Sequence, residues 1–242
     1  MKNGKYWIIA LAAVVCAALL ARAYTYKYRA QDILVVTGLG ETEFVSDLIV
    51  WSGVLTAESQ NVATGYAQLE ANKAKVQQYL TGKGIPAESV VFEFVNVNKN
   101  YEPVYTASGN WAGQRFTGYN LRQRFTVEST DVEKVEVVSR EISSLIAQGV
   151  SIEAYAPDYY YTKLDDVKMG LIETASADAR NRAEKIAMNA GTKIGSVASA
   201  RMGVFQITGA NSNEEFSAGG SFNTSSRTKK ARITMRIEYR VK

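Results

Sequence analysis

Apolar and polar positions along this chain change their period several times, and each change marks an element. Residues 33–38 read as extended, Gly38 to Gly40 as a turn, and residues 43–57 as a long β-rich run. In that run Val45, Ile49, Trp51 and Leu55 mark one face and Leu48, Val50 and Val54 the other, the pattern of a central strand covered on both sides. A helix is predicted over 61–81, with Val62, Tyr66, Leu69, Val76 and Leu80 at helical spacing and Gly82 and Gly84 to stop it. Pro86 places a turn in 83–89, and two strands follow at 90–101 and 116–127, joined by a polar connection at 107–113. The apolar phase slips between Phe94 and Val95, which predicts a bulge. In the second strand Tyr119, Leu121, Phe125 and Val127 alternate with Asn120, Arg122, Arg124 and Thr126, one face buried and one wet.

Thr130 or Asp131 caps a shorter helix that runs to about Gln148. A strand is expected at 150–161 and a long helix at 163–190, striped by Met169, Ile172, Ala175, Ala179, Ala183, Ile186 and Ala190. Alanine at most of those positions lets the helix lie close on a sheet. Residues 193–207 are strand-like and 208–227 form a loop rich in Gly, Ser and Asn. In the closing strand, 231–241, Ile233, Met235, Ile237, Tyr239 and Val241 alternate with Arg232, Thr234, Arg236, Glu238 and Arg240. The order strand, helix, strand, polar connection, strand occurs over 43–127 and again over 150–241, which suggests an internal duplication. The fold class is therefore α+β: mostly antiparallel sheets packed by two long helices and one shorter helix.

Ahead of this, Lys2 and Lys5 precede an apolar run from Tyr6 to Ala21, and Arg22, Lys27 and Arg29 follow it. As a helix the run spans about 24 Å, against a hydrocarbon core of about 30 Å. Snorkelling by Arg22, extension through 23–26, and interfacial Tyr6, Trp7, Tyr24, Tyr26 and Tyr28 make it an expected transmembrane helix. Ala21, Arg22 and Ala23 also match a signal-peptide cleavage pattern. The chain thus divides into a membrane anchor or signal peptide at 1–29 and a domain at 32–242, with the membrane as a partner through the helix.

Cys16, the one cysteine, lies inside the apolar run, so an intramolecular disulfide is impossible. Histidine is absent, which removes His-dependent triads and His-ligated zinc or haem. No cofactor or metal is expected, and a net charge of +4 gives little reason to expect nucleic acid.

The run from Val36 to Trp51, with Gly38, Gly40, Glu41, Glu43, Asp47 and Trp51, resembles the opening of SIMPL-domain proteins. The spaced alanines from Ala175 to Ala190 with Gly191, Lys193, Ile194 and Gly195 resemble that family's helix-to-strand junction, and the alternating last strand its ending. The resemblance covers residues 32–242. It implies an α+β domain of the bacterial envelope, sometimes oligomeric, linked in some members to stress tolerance and host immune recognition. It carries over no catalytic residues. Together with the N-terminal segment it implies a placement: a single-pass inner-membrane protein with its bulk in the periplasm, or one released there by cleavage near Ala23.

Other chemistry is sparse. The Gly38 to Gly40 segment lacks the Gly-rich run and Lys-Ser/Thr pair of a phosphate loop. Asp165 and Asp166 with Glu153 or Asp158 offer carboxylates for glycoside chemistry, or else complement a helix start. Tyr155 and Tyr159 to Tyr161 offer stacking surfaces, or else pack at a strand end. Arg122, Arg124, Arg232, Arg236 and Arg240 form a candidate face for an anionic partner if their strands are neighbours, or else a solvated face balanced by Glu128 and Glu238. The expected function is a membrane-tethered, self-associating structural or interaction module and not an enzyme, with an enzyme or binding protein for an anionic or polysaccharide envelope component as the alternative.

Overall fold

A strand that is apolar on one face needs a helix to cover it, and this chain meets that need twice. The computed structural model describes residues 4–29 and 32–242. In order they form α1 (Gly4–Arg29), β1 (Ile33–Val45), β2 (Leu48–Ser59), α2 (Val62–Gly82), β3 (Val90–Tyr105), β4 (Trp111–Ser129), α3 (Val132–Glu141), β5 (Ile152–Ala154), β6 (Asp158–Tyr160), α4 (Leu164–Asn189), β7 (Ile194–Met202), β8 (Gln206–Gly209), β9 (Ser221–Phe222) and β10 (Thr228–Val241). A 3₁₀ segment, Ile142–Gln148, prolongs α3. The architecture is α+β, as the periodicities indicate.

The strands divide into two sheets. One is ordered β1-β10-β8-β9 with β7 also on β10; the other is ordered β3-β4-β2-β5 with β6 also on β2. All pairings are antiparallel except β8 with β9. The expected bulge is present as a register shift between Phe92 and Val95. In the second sheet Trp51, Leu55, Leu121 and Phe125 pack against Leu69, Val76 and Leu80 of α2 and Val135 of α3. In the first, Ile233, Met235, Ile237 and Tyr239 pack on the alanine stripe of α4.

Each sheet places the last strand of a strand-helix-strand-strand set in its middle: β2-β4-β3 about α2, and β1-β10-β7 about α4. The opening strand of the second set is β1, from the start of the domain. Residues 150–161, expected to fill that place, instead form β5 and β6 and pair with β2. Asp47, between β1 and β2 where the chain changes sheets, ties the halves together by accepting from the Thr162 N–H at 2.8 Å and the Thr162 hydroxyl at 2.7 Å.

The Gly38 to Gly40 turn is corrected: β1 runs through it unbroken, paired with β10 from Ile33 to Val45. The glycines are required by contact. A Cβ on Gly38 would stand 2.1 Å from the Ala175 carbonyl oxygen, and one on Gly40 would stand 2.4 Å from that of Leu171, so the α4 backbone lies directly on the strand.

The N-terminal segment is also corrected. It is helical, but among the described residues no helix is long and apolar enough to cross a membrane. The transmembrane helix, the membrane partnership through it and the single-pass inner-membrane placement all fall with that finding. The uninterrupted apolar run from Tyr6 to Ala21 is sixteen residues long, about 24 Å as a helix, which is short of a hydrocarbon core of about 30 Å. Lys2 and the side chains of Lys5, Tyr6, Lys27, Tyr28 and Arg29 lie outside the described residues.

Candidate functional site

Two surfaces stand out once the strands are placed. The first is the β3-β4 hairpin. Beyond the Tyr119–Ser59 pair β2 ends, while β3 and β4 continue to the Tyr105–Trp111 pair as a two-stranded ribbon. Gly118 sits at the point of departure with φ of +139°, where a Cβ would meet the Ser59 carbonyl oxygen at 2.8 Å. Gln60 Nε2 donates to the Thr117 carbonyl at 2.6 Å and secures the junction. Tyr101, Phe116 and Tyr119 form a ladder of edge-on rings with centroids 5.8 and 5.1 Å apart. Tyr101, Tyr105 and Trp111 remain 50, 60 and 67 % exposed. The sequence placed Tyr101, Phe116 and Tyr119 in strands and Trp111 in the polar connection; the structure extends both strands, to Tyr105 and back to Trp111.

The second surface is the outer face of the β1-β10 sheet, opposite α4. Alternation along β10 puts Lys230, Arg232, Thr234, Arg236, Glu238 and Arg240 on it, as expected. Glu41 of β1 stands opposite Arg232 and accepts an ion pair from its Nε at 3.4 Å and another from Lys230 at 3.3 Å. Arg236 stands opposite Thr37 on one side and Arg201 on the other, with no carboxylate in either place. Arg122 and Arg124 lie on β4 in the other sheet, so the five arginines are not brought together by strand pairing. Arg122 pairs with Glu153 at 3.3 Å, and the Arg124 guanidinium lies 5.6 Å from the Tyr155 ring centroid.

A cleft of about 540 Å³ crosses this face, lined by Thr37, Leu39, Arg182, Val204, Gln206, Phe216, Arg232 and Thr234 among others. Its wall is the 210–220 loop. Gln206 fixes that loop from both ends of its amide, donating to the Ser217 carbonyl at 2.7 Å and accepting from the Ser217 N–H at 3.2 Å. The Phe216 ring centroid lies 5.1 Å from the Arg232 guanidinium. Arg232 Nε is buried without a hydrogen-bond partner. Asp178 of α4 accepts from the Leu39 N–H at 2.8 Å and from Arg182 Nε at 2.9 Å. Arg182 and the Leu39 N–H hold the Asp178 carboxyl below the usual carboxylate range.

The loop is anchored at its base by a buried cation. Lys229, 1 % exposed, donates to the Asn223 carbonyl. The Asn223 side-chain amide donates in turn to Glu214, which also accepts from the Gly209 N–H at 3.1 Å. Burial lowers the Lys229 pKa, against the pull of Glu214 and Asp158. The amide of Asn223 and the Gly209 N–H hold Glu214 below its ordinary value.

The remaining candidates fall apart from one another. Asp165 and Asp166 are in the first turn of α4, where Asp165 pairs with Lys168 at 3.1 Å. Asp158 accepts from the Thr224 hydroxyl at 2.7 Å, and Glu153 is taken by Arg122. Tyr159 is buried and Tyr161 packs on Phe44 with centroids 4.8 Å apart. Arg182, Arg201, Val204, Gln206 and Phe216 went unnoticed in the sequence. The one signal for them was a pair of phenylalanines, Phe216 and Phe222, inside a loop of Gly, Ser and Asn. Among the described residues no group of His, Cys, Asp and Glu is arranged to hold a metal ion.

A family model described as SIMPL, protein of unknown function (DUF541), matches residues 34–241. Among curated proteins no match was found.

Proposed function

The chain belongs to the SIMPL family, and from that premise we propose that it is an interaction module whose β3-β4 ribbon joins it to a second copy of itself. The observation that carries this reading is the exposure of Tyr101, Tyr105 and Trp111 on a ribbon with no third strand. A two-stranded ribbon is marginal alone in water, and clustered exposed aromatics are characteristic of interface cores. Charge argues for a like partner. The ribbon's Glu102 is already paired with its own Arg115 at 3.1 Å, so it offers little to an oppositely charged protein. Pro103 on β3 lacks an N–H and interrupts that edge, which favours contact through ring faces over strand addition. A twofold axis would set ribbon against ribbon.

Light scattering on the full chain over a concentration series tests this. The expected mass is a multiple of 26.6 kDa, reduced to the monomer by Trp111→Ser together with Tyr105→Ser. A wild-type chain that stays monomeric at every concentration, or a double variant that assembles unchanged, overturns it.

A further inference from the structure

The cleft on the outer face of the β1-β10 sheet is separate from the ribbon and raises a different question. Its two lining arginines each turn Nε towards an acid: Arg182 hydrogen-bonds Asp178 at 2.9 Å, and Arg232 Nε stands 3.4 Å from Glu41 as an ion pair without a hydrogen bond. Both contacts converge on the same short stretch of β1, since Asp178 also holds the Leu39 N–H and Glu41 is two residues on. With Nε turned to its acid, the Nη edge of each guanidinium is the side that faces away from it, and that edge matches a carboxylate or phosphate in two-point fashion.

Arg236 and Arg201, directly across from each other beside Thr37, add cationic field with no acid opposite. Neither lines the cleft itself, so they act on a bound anion through space alone. Leu39, Val204 and the ring of Phe216 give the lining an apolar part, beside the polar Thr37, Gln206, Ser217 and Thr234. The volume falls within the range typical of small-molecule sites, about 300–1,000 Å³. Preorganisation is built in, because Gln206 clamps the wall at Ser217 and the Lys229, Asn223 and Glu214 group holds its base.

We infer that this cleft binds a small amphipathic anion, with its oxyanion head between Arg182 and Arg232 and its apolar body against Leu39, Val204 and Phe216. A carboxylate and a phosphate monoester share this chemistry. A peptide or polysaccharide strand is disfavoured because the 210–220 loop walls one side of the cleft. The inference is independent of self-association, since the ribbon belongs to the other sheet.

Isothermal titration of the full chain with decanoate, decyl phosphate, inorganic phosphate and decanol tests it. At least one decyl anion binds saturably at one site per chain, and the tighter of the two identifies the head group. Decanol binds about tenfold more weakly or worse, as loss of charge-assisted hydrogen bonds requires. Arg182→Gln and Arg232→Gln each weaken the anion by a similar factor. Val204→Glu, at a half-exposed position that tolerates the change, does so without touching either arginine and guards against misfolding. Arg122→Gln with Arg124→Gln leaves binding unchanged. The inference is overturned by absence of binding, by decanol binding as well as the anions, by inorganic phosphate binding as well as decyl phosphate, or by loss confined to the Arg122 and Arg124 variant.

Discussion

Gly38 lies against the backbone of Ala175 so closely that a Cβ there would stand 2.1 Å from the Ala175 carbonyl oxygen and 2.4 Å from the Ala179 nitrogen. Both atoms belong to the α4 backbone, so no side chain can swing aside and the helix itself must lift. Gly38→Ala should therefore cost about 3 kcal/mol or more, at the upper end of overpacking penalties. Gly170 in the same helix has nothing within 4 Å of its Cβ direction. Gly170→Ala should stabilise by about 0.5–1 kcal/mol through the unfolded chain. Urea unfolding of the two variants checks both, and equal effects would refute the close-packing account.

Asp178 closes the exposed edge of β1 by taking the Leu39 N–H, and Arg182 holds its carboxylate in place. These contacts depress its folded-state pKa, so between the folded and unfolded values the native state binds fewer protons. The stabilisation is complete above the ordinary aspartate value of about 3.9 and is lost as pH falls through the folded value. Asp178→Asn should thus be less stable than wild type near neutrality, with the gap closing below about pH 4. Urea midpoints measured from neutral to acidic pH provide the check. A gap that persists unchanged in acid would mean that the contact is not ionic.

How far the fold could be read in advance depended on whether the signal was local. The alternation from Ile233 to Val241 was legible because one face of β10 is wet and the other lies on α4. Glycines 38 and 40 misled because their cause, the α4 backbone, arrives from far along the chain; the Leu39–Asp178 bond spans 139 residues. The same limit governs the arginines. Alternation places Arg122 and Arg232 on the polar side of their strands, but which strands pair is decided by long-range closure, and it separates them. The cleft's Arg182 and Phe216 come from a helix and a loop with no shared periodicity. The α1 segment misled for a different reason: flanking charges and aromatics imitate an anchor, while its uninterrupted apolar run falls short of the length that crossing requires.

Along α1 the side chains from Ala10 to Tyr26 are all exposed, so the helix buries none of them against the two sheets. Removing residues 1–26 should change the unfolding free energy of the domain by less than about 0.5 kcal/mol, the usual range for surface changes. Comparing urea midpoints of the full chain and the shortened one tests this. A loss above about 1 kcal/mol would require a contact between α1 and the domain.

Among the described residues Lys229 is a charged side chain buried almost completely, and a mutation can remove it without touching a helix. Its ammonium group, 1 % exposed, donates to the Asn223 carbonyl beneath the loop that walls the cleft. Lys229→Met takes away this donor while keeping a long apolar stem, leaving the carbonyl unpaired at a cost of about 1–3 kcal/mol. Because burial lowers the folded-state pKa, the native ammonium gives up its proton before the unfolded one does. Between those two values the unfolded chain binds more protons, so this group's contribution to stability rises with pH until the ordinary lysine value is passed. The wild type should accordingly gain on Lys229→Met as pH is raised from about 7 towards 10. The variant should also be cut faster by protease within residues 210–222, since the base of that loop has lost its tie. A pH-independent difference between the two proteins, with an equally resistant loop, would show that Lys229 contributes packing alone.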